Sequence, residues 1–182
     1  PVLSSAASDV YKRQDVKLPI PIVEEFDGIR VVRDDLLDGG TKRRAFTMYV
    51  ASRPDVKEFV YASPRQGYAQ LSLAYACHDL GRKCTVTVPK GEKTWLTIEA
   101  EKLGCNIIQV PMGYLSNIQH KARVYCEETE SHLIPFGGDH PIIIEAMTRS
   151  ALSLDIQPKE VWTVMSSGVL LSLIHISEPT RQ

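Results

Sequence analysis

Short apolar runs alternate with longer amphipathic stretches through the middle of this chain. Ile29-Arg30-Val31-Val32 predicts a short strand after the Asp27-Gly28 turn. Thr41 to Ala51 predicts a helix, closed by Arg53-Pro54. Glu58-Phe59-Val60-Tyr61-Ala62 is a compact apolar strand. A helix follows from Gly67 to Leu80, with Leu71, Ala74, Tyr75 and His78 on one face and a stop at Gly81. Cys84 to Val88 is the next strand, ended by Pro89, and Thr94 to Leu103 is a helix stopped by Gly104. Asn106 to Val110 predicts a strand, and Leu115 to Thr129 a helix with Ile118, Ala122 and Tyr125 on one face. Leu133 to Phe136 is a weak strand before Gly137-Gly138. Pro141 to Leu152 is a helix with proline in its first turn. Glu160 to Met165 predicts a last buried strand.

The strands are short and apolar rather than alternating, and helices follow them. That pattern belongs to parallel sheets covered on both faces. No hairpin is expected. The fold class is α/β, with open parallel sheets and helices on both sides.

The two ends read differently. Residues 4–14 back-translate into one adapter of a transposase-based sequencing library, and residues 171–181 into the opposite adapter read through. The expected division is adapter over 1–14, protein over 15–170 and adapter over 171–182. The nucleotide record tests this directly. Such segments are excluded from fold reasoning, so Val169 to Ile176 is not counted as a strand or a membrane anchor. Function is accordingly expected of a longer parent protein, of which residues 15–170 form the N-terminal part.

Composition changes the picture little. Of 182 residues, 43% are hydrophobic and 24% charged, ordinary for a water-soluble domain with a real core. The formal net charge of −1 gives no electrostatic case for nucleic-acid binding. Cys77, Cys84, Cys105 and Cys126 are dispersed along the chain. They read as reduced, small hydrophobes of a cytoplasmic protein rather than as a zinc site or disulfide framework. No membrane association is expected.

The candidate chemistry centres on Arg33-Asp34-Asp35-Leu36-Leu37-Asp38-Gly39-Gly40-Thr41-Lys42-Arg43-Arg44-Ala45-Phe46. One lysine stands just after a Gly-Gly turn, at the start of a helix, with two arginines behind it. A lysine there can be held rigidly, and neighbouring cations favour its neutral amine, as a Schiff-base lysine requires. The plain structural alternative is a solvated basic first turn. Asp34 and Asp35 lack a second ligand pair nearby, so they read as turn or lysine-orienting residues and not as a metal site.

Three further stretches fall where strands end and helices begin, the usual ligand position in open parallel sheets. In Ala62-Ser63-Pro64-Arg65-Gln66-Gly67-Tyr68-Ala69-Gln70, Arg65 can bind an anionic group and Tyr68 can stack or donate. The alternative is a plain turn capped by Ser63. In Ser166-Ser167-Gly168-Val169-Leu170, small residues allow backbone amides to approach a phosphate. In Phe136-Gly137-Gly138-Asp139-His140-Pro141, His140 is either an acid-base group facing substrate or, with Asp139, a helix cap. Tyr114 faces a cleft or packs in the core.

The Arg33 to Phe46 string resembles the segment around the cofactor lysine in pyridoxal-phosphate enzymes of the tryptophan-synthase-β-like superfamily, fold type II. It is nearest the D-cysteine desulfhydrase and aminocyclopropane-carboxylate deaminase branch. That branch carries a similar Arg-Asp-Asp-Leu run, then Gly-Gly, Asn, Lys and a basic residue. Thr41 stands here where the Asn is usual. The resemblance implies a fragment of a two-domain α/β enzyme with pyridoxal 5'-phosphate on Lys42, whose freed amine then shuttles protons.

The same resemblance gives roles to the other stretches. The Ser63 loop stands where the family has Ser-Gly-Asn, a further residue and Gly. Ser63 and Gly67 match, while Pro64 and Arg65 replace the Gly and the Asn. Ser63 is implied to position a substrate carboxylate or assist proton transfer, with Arg65 and Gly67 beside the cofactor. Ser166, Ser167 and Gly168 match the phosphate cradle in kind, with Val169 in place of a Gly. Substrate contacts are assigned to Ser63, Arg65, Tyr68, Tyr114 and His140. The implied reaction is elimination or deamination of an amino acid or related amine, with a small-molecule substrate and a homodimer as candidate assembly. The residue facing the pyridine nitrogen normally comes later in the chain, so racemisation and replacement stay open. A different class also stays open: a non-catalytic α/β module binding phosphate or a nucleotide, with Lys42 as an anion contact.

Overall fold

A computed structural model describes residues 16, 18–111, 114–154, 156 and 158–163. The first two strands, β1 (Val23–Phe26) and β2 (Ile29–Val32), pair antiparallel, with Phe26 opposite Ile29. The sequence pattern predicts no hairpin, yet this is one. Asp27 and Gly28 both take positive φ, 48° and 81°. Two left-handed residues in a two-residue loop match the right-handed twist of the flanking strands, and Asp-Gly is a preferred pair for them. The alternation in Val23-Glu24-Glu25-Phe26 is too weak to mark the first strand, so the turn is legible in the sequence and its consequence is not.

The remaining strands are β3 (Glu58–Ala62), β4 (Lys83–Pro89), β5 (Asn106–Val110) and β6 (His132–Leu133). They form one sheet in the order β5-β4-β3-β6, and every pair is parallel. The helices between and around them are α1 (Thr41–Ala51), α2 (Ala69–Asp79), α3 (Trp95–Lys102), α4 (Leu115–Thr129) and α5 (Pro141–Leu152). Parallel neighbours need crossovers, and the helices supply them.

Alternation along β3 divides the core. Phe59 and Tyr61 face a cluster with Phe46 and Tyr49 of α1, Leu71 and Leu73 of α2, and Ile143 of α5. Val60 and Ala62 face the other way, onto Ile118 and Ala122 of α4. The sheet is thus buried on both faces, which is why its strands carry apolar residues at successive positions.

Two expected elements change. The weak strand at Leu133–Phe136 is a two-residue bridge at His132–Leu133, followed by a 3-10 turn over Phe136–Gly138. Pro135 cannot donate to a ladder, and Gly137 turns the chain away at φ 75°. The expected strand from Glu160 is not formed over residues 160–163, where Val161 and Trp162 are exposed. Among the described residues no strand lies beside 160–163 to bond its backbone. Met165 lies outside the described residues.

Among the described residues, no helix is long and apolar enough to cross a membrane. Among the same residues, no group of three or more ligating side chains is placed to hold a metal ion.

Candidate active site

The carboxyl ends of β3 and β4 carry the loops that surround the lysine turn. Gly39 and Gly40 enter α1 with φ of 82° and 65°, the region that favours glycine. A side chain there would also press on neighbouring rings. A Cβ on Gly39 would lie 3.0 Å from the Tyr75 ring, and one on Gly40 would lie 3.0 Å from Cε1 of Tyr68. Ser72 of α2 donates its hydroxyl to the carbonyl of Gly39. The turn before Lys42 is therefore clamped onto α2, and Tyr68 at the N-terminus of α2 is its neighbour.

Lys42 sits second in α1 and is half-buried. Burial lowers the pKa of its ammonium from the usual 10.5. A cation in the first turn of a helix is also disfavoured by the helix dipole, which acts in the same direction. No described residue offers the ammonium a hydrogen bond or an ion pair.

The two arginines behind it do not supply the effect expected of them. Arg43 swings to Asp79, 2.7 Å away, donates to the carbonyl of Asp38 and lies over the Tyr75 ring. Arg44 is buried against Asp34 at 2.7 Å and donates its Nε to the carbonyl of Pro19. Each guanidinium is neutralised by its own carboxylate. Burial, and not neighbouring positive charge, lowers the lysine. Asp34 thus orients an arginine, and Asp35 does the same for Arg33 at 2.7 Å.

The Ser63 loop is tightly closed. The backbone amide of Ser63 donates to Thr87, continuing the β3–β4 ladder. Its hydroxyl is buried and donates to the carbonyl of Pro64 at 2.9 Å. A Cβ on Gly67 would come within 2.5 Å of that hydroxyl oxygen and 3.0 Å of the Pro64 ring, so a side chain there forces the loop to shift. Arg65 reaches across to the next loop, donating Nε to the carbonyl of Glu92 at 3.1 Å and lying against Gly91.

Gln70 ties these loops together and carries no role in the sequence reading. It is fully buried, donates to the carbonyl of Gly67 at 2.9 Å, and accepts from Thr97 at 3.1 Å. Thr97 in turn donates its amide to the hydroxyl of Thr94, which caps α3. The Thr94-x-x-Thr97 spacing is the available signal, since a hydroxyl at an N-cap commonly meets the third amide of its helix.

The other candidate residues fall as follows. Tyr68 is 42% exposed and meets Trp95, itself 57% exposed, edge to face at 5.9 Å. Tyr114 is 84% exposed after β5, on the same rim of the sheet and not in the core. His140 caps α5, its Nδ1 accepting the amide of Ile142 at 3.2 Å. It packs edge-on against Tyr49 and beside Arg53, at the opposite end of α1 from Lys42. Ser166, Ser167, Gly168 and Val169 lie outside the described residues.

The fold brings together the lysine turn, Tyr68, the Ser63–Gly67 loop and, through Arg65, the loop after β4. It leaves His140 apart from them. What has been assembled is a half-buried, unpaired amine on a rigid turn, beside two linked loops and an exposed aromatic pair.

No protein-family profile and no curated protein sequence matches the chain. Solved structures do. A pyridoxal 5'-phosphate-dependent aspartate racemase is similar over 95% of this chain and 57% of its own, with TM-score 0.75 and 16% identity. A T.th. threonine deaminase is similar over 94% of this chain and 59% of its own, with TM-score 0.71 and 22% identity. An ACC deaminase homologue is similar over 94% and 61%, with TM-score 0.76 and 14% identity. The chain thus has the α/β fold of pyridoxal-phosphate enzymes of fold type II and spans somewhat over half the length of these relatives.

Proposed function

We propose that the protein to which this chain belongs is a pyridoxal-phosphate enzyme acting on an amino acid or related amine, with Lys42 as its cofactor lysine. The observation that carries this reading is the state of Lys42. Its amine is half-buried, has a lowered pKa, and is paired with no described residue. A structural surface lysine would be solvated or bridged to a carboxylate. Solved structures of the same fold include enzymes named as pyridoxal 5'-phosphate-dependent, as deaminases and as an ammonia-lyase.

The residues present fit an aldehyde cofactor on chemical grounds. A covalent attachment at Nζ needs a neutral amine, and burial favours it. Bound there, pyridoxal phosphate supplies an electron sink for a negative charge developing on the α-carbon of the substrate.

The chain's own residues do the rest. Gly39 and Gly40 hold Lys42 at a fixed position and angle, which lowers the cost of orientation. The freed Nζ accepts and returns a proton at the α-carbon. Ser63 and Arg65 are proposed to bind the substrate carboxylate, and Tyr68 and Tyr114 to border the site. Ser63 donates within its own loop, so serving a substrate requires its hydroxyl to turn away from Pro64. Ser166, Ser167 and Gly168 are proposed to hold the phosphate. Elimination or deamination of an amino acid or related amine is the reaction favoured by the resemblance at Lys42.

Borohydride reduction after incubation with pyridoxal phosphate, followed by peptide mapping, tests the reading on the full-length parent. A pyridoxyl group on Lys42 is the expected result. A folded protein that acquires none, yet is protected by inorganic phosphate, is instead a phosphate-binding module.

A further inference from the structure

We propose that Cys84 and Cys105 are a redox site, closing to a reversible disulfide that staples β4 to β5 at the amino end of the sheet. The two cysteines are far apart in sequence, and topology unites them. Thr85 pairs with Asn106 in the parallel ladder, so Cys84 and Cys105 stand side by side one position earlier. Adjacent strands run about 4.8 Å apart, within the Cα separation that a disulfide spans. Both side chains point into the same core cluster, and the two sulfurs are 3.0 Å apart. Bond formation needs them to approach by only about another 1 Å.

The surroundings keep the pair in register. Gly104 turns the chain at φ 85°, and the amide of Cys105 donates to the carbonyl of Ala100, closing the end of α3. Lys83, just before Cys84, and Asn106, just after Cys105, are exposed. The thiols therefore lie one residue beneath the surface; burial raises the Cys84 thiol pKa, so the attacking thiolate forms, and the oxidant enters, when the ends of β4 and β5 open locally. Cys77 of α2 is the neighbouring third thiol.

The chemistry balances with a diffusible thiol oxidant of the disulfide class, such as glutathione disulfide. One cysteine displaces a glutathione thiolate to form a mixed disulfide, and the second displaces the other. The two protein sulfurs lose two electrons, and two glutathione thiols are formed with the two protons released. The staple lies at the end of the sheet away from Lys42, so it changes stability and leaves the lysine turn in place.

The test is diamide oxidation of the folded full chain, alkylation of remaining thiols and peptide mapping without reduction. Diamide takes the same two electrons and two protons. The expected product links Cys84 to Cys105, with Cys77 and Cys126 alkylated, and raises the urea midpoint until dithiothreitol reverses it. The same link is expected in Cys77→Ala. A dominant link to Cys77, a link formed only in urea, or four alkylated thiols after oxidation would each overturn the proposal. Because the wild-type map decides the pairing, a poorly folding variant does not obscure it.

Discussion

The ring of Tyr68 rests on the backbone of Gly40, so close that a Cβ on Gly40 would sit 3.0 Å from Cε1. This contact joins the lysine turn to the start of α2. It also makes two independent demands on one residue, since Gly40 has φ of 65°. Gly40 pairs φ 65° with ψ −170°, a backbone region essentially confined to glycine that costs another residue about 1–3 kcal/mol, and the close contact adds to it. Gly40→Ala is expected to lower stability by about 2 kcal/mol or more. The comparison is Gly40→Ala in a Tyr68→Ala background, which removes the ring that a Cβ on Gly40 would meet. There the substitution should lose only the conformational part. Urea unfolding in both backgrounds separates the two costs, and equal losses would show that the Tyr68 contact carries no energy.

Lys42 predicts a pH dependence of definite sign. Its ammonium pKa is lowered in the folded state from 10.5 by burial. Between the lowered value and 10.5 the unfolded chain binds more protons, so this group makes stability rise with pH in that window. Below the window the buried charge is a constant penalty. Lys42→Met is therefore expected to be more stable than the wild type at neutral pH, with the gap narrowing as pH approaches and passes 10.5. Thermal melts from about pH 7 to 11, spanning the ordinary lysine range, check it. A gap that widens with pH would mean that the lysine is held by an anionic partner.

The buried pair Arg44–Asp34 anchors the segment before the lysine turn. The oxygen and nitrogen are 2.7 Å apart, and Arg44 has 3% side-chain exposure. Removing one partner of such a pair leaves an uncompensated buried charge, at about 3–5 kcal/mol. Asp34→Ala is expected to fall in that range by urea denaturation. The double variant Asp34→Ala with Arg44→Met should recover most of the loss. Failure to recover would assign the energy to the Arg44 bond with the Pro19 carbonyl.

His132 and His140 predict acid sensitivity. Both surround Tyr49: His132 bonds its hydroxyl at 2.9 Å and His140 packs edge-on to the ring. Burial lowers both imidazole pKa values from 6.5, followed by the charge of Arg53, while Asp139 opposes the shift at His140. In the window below 6.5 the unfolded chain binds more protons. Stability present above that pH is then lost as pH falls through the lowered folded values. His132→Gln with His140→Asn, which keeps a capping side chain, should flatten melting temperature between about pH 7 and 5, the range in which histidine titrates. An unchanged slope would place the acid sensitivity in other groups.

The helix ends show what local pattern can carry. Thr41–Ala51, Leu115–Thr129 and Pro141–Leu152 agree with their sequence reading at both ends. Glycine, proline and apolar spacing act within a few residues, so one stretch of chain contains the information. The site is legible only in part. The Gly-Gly-Thr-Lys string marks the lysine, but its neighbours cannot say why the amine would be neutral. Arg43 and Arg44 look like the cause in sequence, and in space Asp79 and Asp34 neutralise them.

By itself, then, the chain's sequence determined an α/β order of elements, a glycine turn before Lys42 and a Ser63–Gly67 turn after β3. Tertiary structure alone decided that Tyr68 meets Gly40, that Gln70 locks two loops, that His140 sits apart, and that Cys84 touches Cys105. These are distances between residues separated along the chain. They depend on the strand order β5-β4-β3-β6, which the burial of whole sheet faces selects and no local periodicity encodes.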